Sequence, residues 1–533
     1  MLLDVRPDHL KIVQDILGTH VPDREVWAFG SRVTGNATET SDLDLAVFGE
    51  TPLDFETLAA LRDAFSESRL PYKVDVVDWS TIGETFKNII LKNKIVIKKN
   101  IEVKKIWPEF PLEKCMSTII DYRGKTPRKA SSGIPLITAK IIKAGRIEKP
   151  TEFIDQKEYI KWISRGISEP GDIVVTTEAP LGEVAQLNDQ KVALAQRVIT
   201  LRGKSGFLNN TFLKFLMQSD YIQDQLKSRA TGTTVVGIRQ SEIRKIWLPL
   251  PPLPEQRAIA HILGTLDDKI ELNRRMNETL EAMAQAIFKS WFVDFDPVRA
   301  KMEGRETGLP KEIEDLFPDS FEDSELGEIP RGWRVGSIGE SFNIIMGQSP
   351  PGESYNTVGE GIPFYQGSAD FGSRFPKRRI FCSSPKRFAN AGDTLISVRA
   401  PVGEINMALE DCCIGRGVAA ARHNTMSRSY TYYFMYVFAE MFDHFEAEGT
   451  VFGSINKNDF HNIQCIVPPV ELIKSYEKTI SILDSHVENN DRTVQSLSTL
   501  RDILLPKLLS GDIRIKDPEN LLKLSTSALS EEK

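Results

Sequence analysis

Two long stretches of the chain carry apolar residues at alternating intervals of three and four. In the first they fall at Ile259, Leu263, Leu266, Ile270, Leu280, Ala284, Ile287 and Trp291. In the second they fall at Tyr476, Ile480, Leu483, Val487, Val494, Leu497 and Leu504. Such spacing draws one apolar seam along a helix and predicts two long helices packed antiparallel as a coiled coil. Asn273 and Asn490 sit on seam positions, where a buried amide fixes register at a cost in stability. Elsewhere the apolar runs are short. Val26–Phe29, Leu43–Phe48 and Val74–Val77 read as buried strands, with a helix over Phe55–Phe65. Ile173–Thr176, Val198–Leu201 and Thr394–Val398 lie between Gly, Pro and Asp turns, which predicts mixed α/β domains with much strand.

The pattern occurs twice. Moving forward 217 positions takes Gly232-Thr233 to Gly449-Thr450, Ile246 to Ile463 and Pro251-Pro252-Leu253 to Pro468-Pro469-Val470. Further upstream, Ala179-Pro180-Leu181-Gly182-Glu183 recurs as Ala400-Pro401-Val402-Gly403-Glu404, and Gly124-Lys125-Thr126-Pro127 as Gly347-Gln348-Ser349-Pro350. A period this long exceeds the roughly 20–50 residues of a solenoid unit and marks a duplicated globular domain with its helix. The expected organisation is an N-terminal α/β domain (1–100), a first globular domain (105–252) and a first spacer helix (253–298). A Gly-, Pro- and acid-rich linker (299–329), a second globular domain (330–468), a second spacer helix (469–510) and a disordered tail (516–533) follow. Two copies of one surface suit a ligand with approximate two-fold symmetry, of which duplex DNA is the commonest.

Composition changes this picture little. Hydrophobic residues make up 41% and charged residues 26% of the 533 positions, as in ordinary globular proteins. No apolar run approaches the roughly 18 residues of a membrane span, and Met1-Leu2-Leu3-Asp4 has an acid where a signal peptide would carry base. Five cysteines form no CxxC or His-paired zinc pattern, so a reduced cytoplasmic setting is expected. The net charge of −7 excludes a uniformly basic nucleic-acid binder. The distribution is uneven, however. Asp121–Lys149 holds eight Lys/Arg against two acids, and Arg374–Arg387 holds six basic residues and no acid. The two basic islands fall at comparable places in the two copies.

Residues 105–515 resemble the specificity subunit of type I restriction–modification systems. The resemblance is carried by Leu248-Pro249-Leu250-Pro251-Pro252-Leu253-Pro254-Glu255-Gln256-Arg257 and the Thr231-Gly232-Thr233 turn. The paired Gly-[Lys/Gln]-[Thr/Ser]-Pro loops and Trp291-Phe292-Val293-Asp294-Phe295 complete it. It implies two target-recognition domains, each reading half of a split site on double-stranded DNA. It also implies spacer helices that dock two modification subunits, which methylate adenine with S-adenosylmethionine, and ATP-driven restriction subunits. A helix over the 38 residues of Glu255–Phe292 would reach about 57 Å, or about 17 base pairs at roughly 3.4 Å each. The repeat holds neither an [Asp/Asn]-Pro-Pro-[Tyr/Phe] methyltransferase motif nor a phosphate loop, so methylation and ATP hydrolysis are assigned to partners. Under this resemblance, phosphate contacts come from Lys125, Arg128, Lys129, Lys140 and Lys143 in the first copy and Arg374, Lys377, Arg378 and Arg379 in the second. Gln348 either reads an adenine edge or sits on a solvated loop. Ile134-Pro135-Leu136-Ile137 against Ile362-Pro363-Phe364-Tyr365 predicts different half-sites.

Residues 1–100 carry a separate signature. Gly30-Ser31 follows a predicted strand, and Ser41-Asp42-Leu43-Asp44 opens the next. Asp42 and Asp44, two apart, face the same way on a strand. Asp75 lies on a predicted neighbouring strand. Three carboxylates can hold Mg²⁺, which activates an attacking hydroxyl and stabilises leaving pyrophosphate. Gly30, Ser31 and Ser41 are the candidate contacts to a nucleoside triphosphate. The set Gly-Ser-Arg-x-x-Gly (30–35) with Ser-Asp-Leu-Asp-Leu (41–45) resembles the minimal nucleotidyltransferases of the polymerase-beta superfamily. That resemblance implies nucleotide transfer to a partner protein, as in some antitoxins. The fold class expected is thus α/β multidomain: a small nucleotidyltransferase domain, then two target-recognition domains separated by long antiparallel helices. The alternative reading makes the chain chiefly a nucleotidyltransferase that uses the repeat for targeting.

Overall fold

A computed structural model of the chain describes residues 3–521 apart from 23, 36, 39–40, 50–51, 99–106, 123, 125, 189–190, 233–234 and 448–453, and without the side chains of 440–447. The chain divides into one compact unit of 1–264 with 503–533 and another of 265–502.

The N-terminal domain runs α1 (Pro7–His20), β1 (Glu25–Phe29), α2 (Ser31–Thr34), β2 (Leu43–Phe48), α3 (Phe55–Ser66), β3 (Val74–Asp78), α4 (Glu84–Lys92) and β4 (Ile95–Lys98). Its sheet has the order β3-β2-β1-β4, with β2 and β3 parallel and the other pairs antiparallel. Strand alternation splits the apolar side chains between two faces. Val26, Ala28, Leu43, Leu45 and Val47 meet Val13 and Leu17 of α1 and Leu61 and Phe65 of α3. Trp27, Phe29 and Ala46 meet Ile90 of α4 on the other face. Covering both faces leaves the strand ends as the place for polar chemistry. The three predicted strands and the helix stand within a residue or so of expectation.

The first globular domain is built on an antiparallel sheet of Leu181–Gln186, Ile173–Thr177, Val198–Gly203 and Met116–Asp121, in that order. The second repeats it with Ile405–Met407, Thr394–Ser397, Val418–His423 and Phe342–Met346. Thr176 pairs with Val198 in one and Ser397 with Val418 in the other, so the duplication holds at the level of register. A cis proline follows Ala179 and Ala400 alike. A second sheet flanks each main one, of three strands in the first domain and five in the second, and includes the parallel pairs Ile134–Ile137 with Ala193–Leu194 and Ile362–Tyr365 with Cys412–Ile414.

The predicted long helices are Leu253–Phe292 and Val470–Ser510. Within the second unit they run antiparallel. Ala284 accepts from the Tyr476 hydroxyl at 3.0 Å, Asn490 donates to Asn277 at 2.9 Å, and Arg501 pairs with Asp267 at 3.0 Å. Ile270, Ala284, Trp291, Tyr476, Ile480 and Val487 of the seam are buried. In the first unit, Gln256 donates to the carbonyls of Phe207 and Pro251 and accepts from the Asn209 amide at 3.0 Å. The Leu-Pro-Glu-Gln-Arg run therefore fastens the first globular domain to its helix. Glu255 beside it pairs with Arg514 at 2.8 Å.

The linker differs from expectation. Residues 299–329 complete the helix Asp296–Met302, then add Lys311–Glu314 and most of the hairpin Phe321–Ser324 with Gly327–Pro330. Phe317 and Ile329 enter the core with Trp291 and Trp333, because enough apolar side chains punctuate this polar stretch to bury it. Of the tail, residues 516–521 are placed, with the Leu521 amide on the Asp517 carbonyl, and 522–533 lie outside the described residues.

Candidate functional site

The sheet of the N-terminal domain brings two of the three predicted acids, Asp44 and Asp75, together by register. Phe29 of β1 stands opposite Asp44 of β2, and Asp44 opposite Asp75 of β3. Directly paired residues share a face, so Asp44 and Asp75 point the same way. Asp42 precedes β2 by one residue and is exposed. Burial pushes the Asp44 carboxyl above the usual carboxylate range, and the negative charges of Asp75 and Asp42 push it further. Lys73 answers part of this charge with an ion pair to Asp75 at 2.6 Å.

Gly30 closes β1 and opens α2. Its φ is +78°, and a Cβ there would lie 2.2 Å from Oδ2 of Asp44. Only glycine allows this turn to pass so close to the central carboxylate. Ser31 begins α2, and Thr34 bonds back to the Gly30 carbonyl. Ser41 acts locally, since its hydroxyl accepts from the Thr38 amide at 2.8 Å and so holds the loop leading to Asp42.

Arg32 completes the arrangement, and its part is not readable from motif spacing. It is 5% exposed. Its Nε and Nη2 donate to the Ser41 carbonyl at 2.9 and 2.7 Å, its Nη1 donates to the Asp4 carbonyl at 2.9 Å, and its guanidinium lies 3.9 Å from the Tyr72 ring centroid. The arginine thus clamps the residue before Asp42 to the turn after Gly30.

Three carboxylates on neighbouring strand ends have the hard oxygen donors that Mg²⁺ requires. As placed, no group of three His, Cys, Asp or Glu among the described residues is gathered closely enough to hold a metal ion. The set fits a divalent cation by donor type and shared sheet end, not by a closed shell.

The predicted DNA contacts fare unequally. Lys125 lies outside the described residues. Arg128, Lys129, Lys140, Lys143, Gln348, Lys377, Arg378 and Arg379 are exposed. Lys129 pairs with Glu152 at 2.9 Å and Lys143 with Glu148 at 3.0 Å, while Arg378 pairs with Glu410 and Arg379 with Asp370. Among the described residues Lys140 and Lys377 have no ion-pair partner, and the Gln348 backbone N–H donates to the Ile414 carbonyl at 3.0 Å.

Arg374 is a correction. It is 2% exposed, and Nη2 donates to Asp484 of the second long helix at 2.9 Å, with Glu281 of the first at 3.9 Å. Its guanidinium lies 3.3 Å from the Tyr432 ring centroid. Burial opposes its charge, but Tyr432, Asp484, Tyr433 and Glu281 outweigh that and keep it protonated. A cation so enclosed cannot meet a phosphate. It joins the second globular domain to both helices. Sequence counting placed it in a basic island because charge alone does not reveal burial.

Arg399 and Arg416 lie outside both islands. Both are exposed and line one cavity of about 310 Å³ in the second globular domain with Ser349, Gln366 and Ser368.

Residues 117–282 and 330–499 match the type I restriction modification DNA specificity domain, and residues 12–102 match the polymerase beta nucleotidyltransferase domain. The proposed type I restriction enzyme MjaX specificity subunit of Methanocaldococcus jannaschii is 29% identical over 431 residues, covering 78% of this chain and 95% of the relative. The probable protein adenylyltransferase MntA of Haemophilus influenzae is 53% identical over 97 residues, covering 18% of this chain and 85% of the relative. The crystal structure of the HsdS subunit from Thermoanaerobacter tengcongensis is 28% identical, covering 76% of this chain and 97% of that one, with a TM-score of 0.28. No helix among the described residues is long and apolar enough to cross a membrane. Two matched specificity domains spanning most of the sequence, with a nucleotidyltransferase domain ahead of them, show that the chain belongs to the type I restriction–modification specificity subunits and begins with a polymerase-beta nucleotidyltransferase domain.

Proposed function

We propose that residues 105–510 read a bipartite site on double-stranded DNA and dock two methyltransferase subunits and the restriction subunits through the paired helices. The duplicated four-stranded sheet with matched register carries this reading. Two copies of one reading surface have a use when the ligand presents two half-sites. Exposed Lys140 and Lys377 supply phosphate attraction without sequence preference. S-adenosylmethionine and ATP chemistry belong to the partner subunits. Sequencing methylated adenines in cells that carry this chain with its methyltransferase and restriction partners tests the reading. A single split motif is expected, and methylation without one would overturn it.

The N-terminal domain, in this proposal, transfers a nucleotide from a nucleoside triphosphate to a hydroxyl on a protein. Asp42, Asp44 and Asp75 would hold Mg²⁺, which lowers the barrier by activating the acceptor hydroxyl and stabilising departing pyrophosphate. Gly30 lets the backbone approach the triphosphate, and Arg32 keeps Asp42 in place through the Ser41 carbonyl. Incubation with labelled ATP and Mg²⁺ should label protein, and Asp42→Ala should abolish the label.

A second reading makes nucleotide transfer the main activity. The 53% identity of 97 N-terminal residues to the probable protein adenylyltransferase MntA supports it. Deleting residues 1–100 separates the two, because site-specific methylation survives under the first reading only.

A further inference from the structure

The two globular domains differ sharply at one matched place. Glu178 and Arg399 immediately precede the two cis Ala-Pro bonds, and each forms an isolated backbone bridge, Glu178 with Gly237 and Arg399 with Ser454. Across the sheet, the Arg197 carbonyl accepts from the Thr177 amide and the Gly417 carbonyl from the Val398 amide, both at 2.9 Å. Arg197 and Gly417 are therefore equivalent, as are Glu178 and Arg399. In the first domain Arg197 pairs with Glu178 at 2.7 Å and the position neutralises itself. In the second domain the acid is replaced by Arg399, and the arginine by Gly417 with Arg416 beside it.

This exchange opens a cationic cavity. Gly417 lines it, and a Cβ there would meet the Gln366 carbonyl at 2.3 Å, so the position that holds Arg197 in the first domain takes no side chain in the second. Arg399 and Arg416 line the cavity and are exposed, and among the described residues neither has an ion-pair partner. The contact of Arg416 is to the neutral Ser349 hydroxyl at 3.4 Å.

We infer that Arg399 and Arg416 form a base-reading subsite of the second domain, which takes the acceptor-only N7/O6 edge of a guanine. The inference rests on the proposed DNA reading. A guanidinium offers parallel donors that match this edge. Phosphate is the other acceptor of this chemistry, but a phosphate contact positions the duplex without regard to sequence and is wanted equally in both domains. This place is a neutral ion pair in the first domain and carries two unpaired arginines in the second, a difference by which two half-sites can come to differ.

The test uses the full chain assembled with its methyltransferase subunits and a randomised duplex library. The unaltered complex should select a split site with a guanine in one half. Arg399→Gln and Arg416→Gln should each relax that one position by roughly ten- to hundredfold and leave the other half-site unchanged. Arg399→Glu should move the preference toward a donor edge such as cytosine. Thermal melting at the unaltered temperature confirms that the exposed substitutions leave the fold intact. Uniform weakening on all sequences, with the salt dependence reduced by about one ion, assigns a phosphate contact and overturns the inference. So does an unchanged preference in both half-sites. If the unaltered complex selects no sequence at all, the DNA-reading proposal falls and takes this subsite with it.

Discussion

Gly30 and Asp44 stand so close that a single methyl group on the first would overlap a carboxylate oxygen of the second, at 2.2 Å. This contact ties the turn after β1 to the central acid of the candidate transfer site. Gly30→Ala would also place a Cβ at φ +78° and ψ −152°, a region that is essentially glycine-only and costs about 1–3 kcal/mol for other residues. Relief of the overlap must move Asp44. A displacement of about 1 Å at reacting groups costs on the order of a hundredfold in rate. Nucleotide incorporation from labelled ATP should therefore fall by at least about tenfold, while the far-ultraviolet circular dichroism of the full chain stays the same. Undiminished transfer would remove Asp44 from the reacting centre.

Asp44 also sets a pH dependence. Its carboxyl is raised by burial and then by Asp75 and Asp42, so the folded domain holds this proton more tightly than the unfolded chain. Stability of the domain should accordingly decline as pH rises from the ordinary carboxylate value through the raised one. Asp44→Asn should slow hydrogen exchange of the β1 and β2 amides at about pH 8 without divalent cation. It should also erase the protection that added Mg²⁺ gives the unaltered chain. Equal protection by Mg²⁺ in both proteins would show that the cation binds elsewhere.

Arg374 makes a prediction opposite to the one its sequence neighbourhood suggested. Removing it by Arg374→Met strands Asp484 and Glu281 in a buried site. Breaking a buried ion pair from one side costs about 3–5 kcal/mol. The second unit should unfold at markedly lower urea, and base preference of the protein that remains folded should not change. Glu281 gives the matching pH signature. Its carboxyl is pushed up to about 7, by burial first and against the pull of Arg374. The raised value means that stability is lost as pH climbs through about 7. Glu281→Gln should become increasingly stabilising between about pH 5 and pH 8, measured by urea midpoints at each pH.

How much of this was legible depended on the range of the interaction. Val26–Phe29 and Leu43–Phe48 were readable because runs bounded by turn residues report strands directly, and the pairing of Asp44 with Asp75 follows from two such strands lying side by side. The helix seams were readable from their alternating spacing of three and four. Arg374 was misread, since its burial comes from Tyr432, Asp484 and Glu281, whose positions no local pattern gives. Arg399 and Arg416 escaped notice because they are isolated in sequence and converge through the paired strands of one sheet. The role of Arg32 was hidden behind a hydrogen bond to a backbone carbonyl, which leaves no residue-type signature.

The amide positions of the coiled coil show the same limit and yield the last prediction. Asn273 is buried as expected, but it donates to the Lys269 carbonyl of its own helix at 2.7 Å. The cross-helix partner of Asn490 is Asn277, which also donates to the Val487 carbonyl at 3.2 Å. The 277–490 pair is thus the polar contact across the seam that could set register, since sliding one helix by a residue would break it. Asn490→Leu alone strands Asn277 and should destabilise the second unit by about 1–3 kcal/mol. Asn277→Leu with Asn490→Leu replaces the pair by apolar packing and should recover that loss or exceed it. The double variant should also loosen register, read as disulfide cross-linking of cysteine pairs one turn out of step, which the unaltered seam would not form. If the single and double variants destabilised additively and cross-linked only in the original alignment, the pair would be a tolerated polar contact and register would rest on the apolar seam.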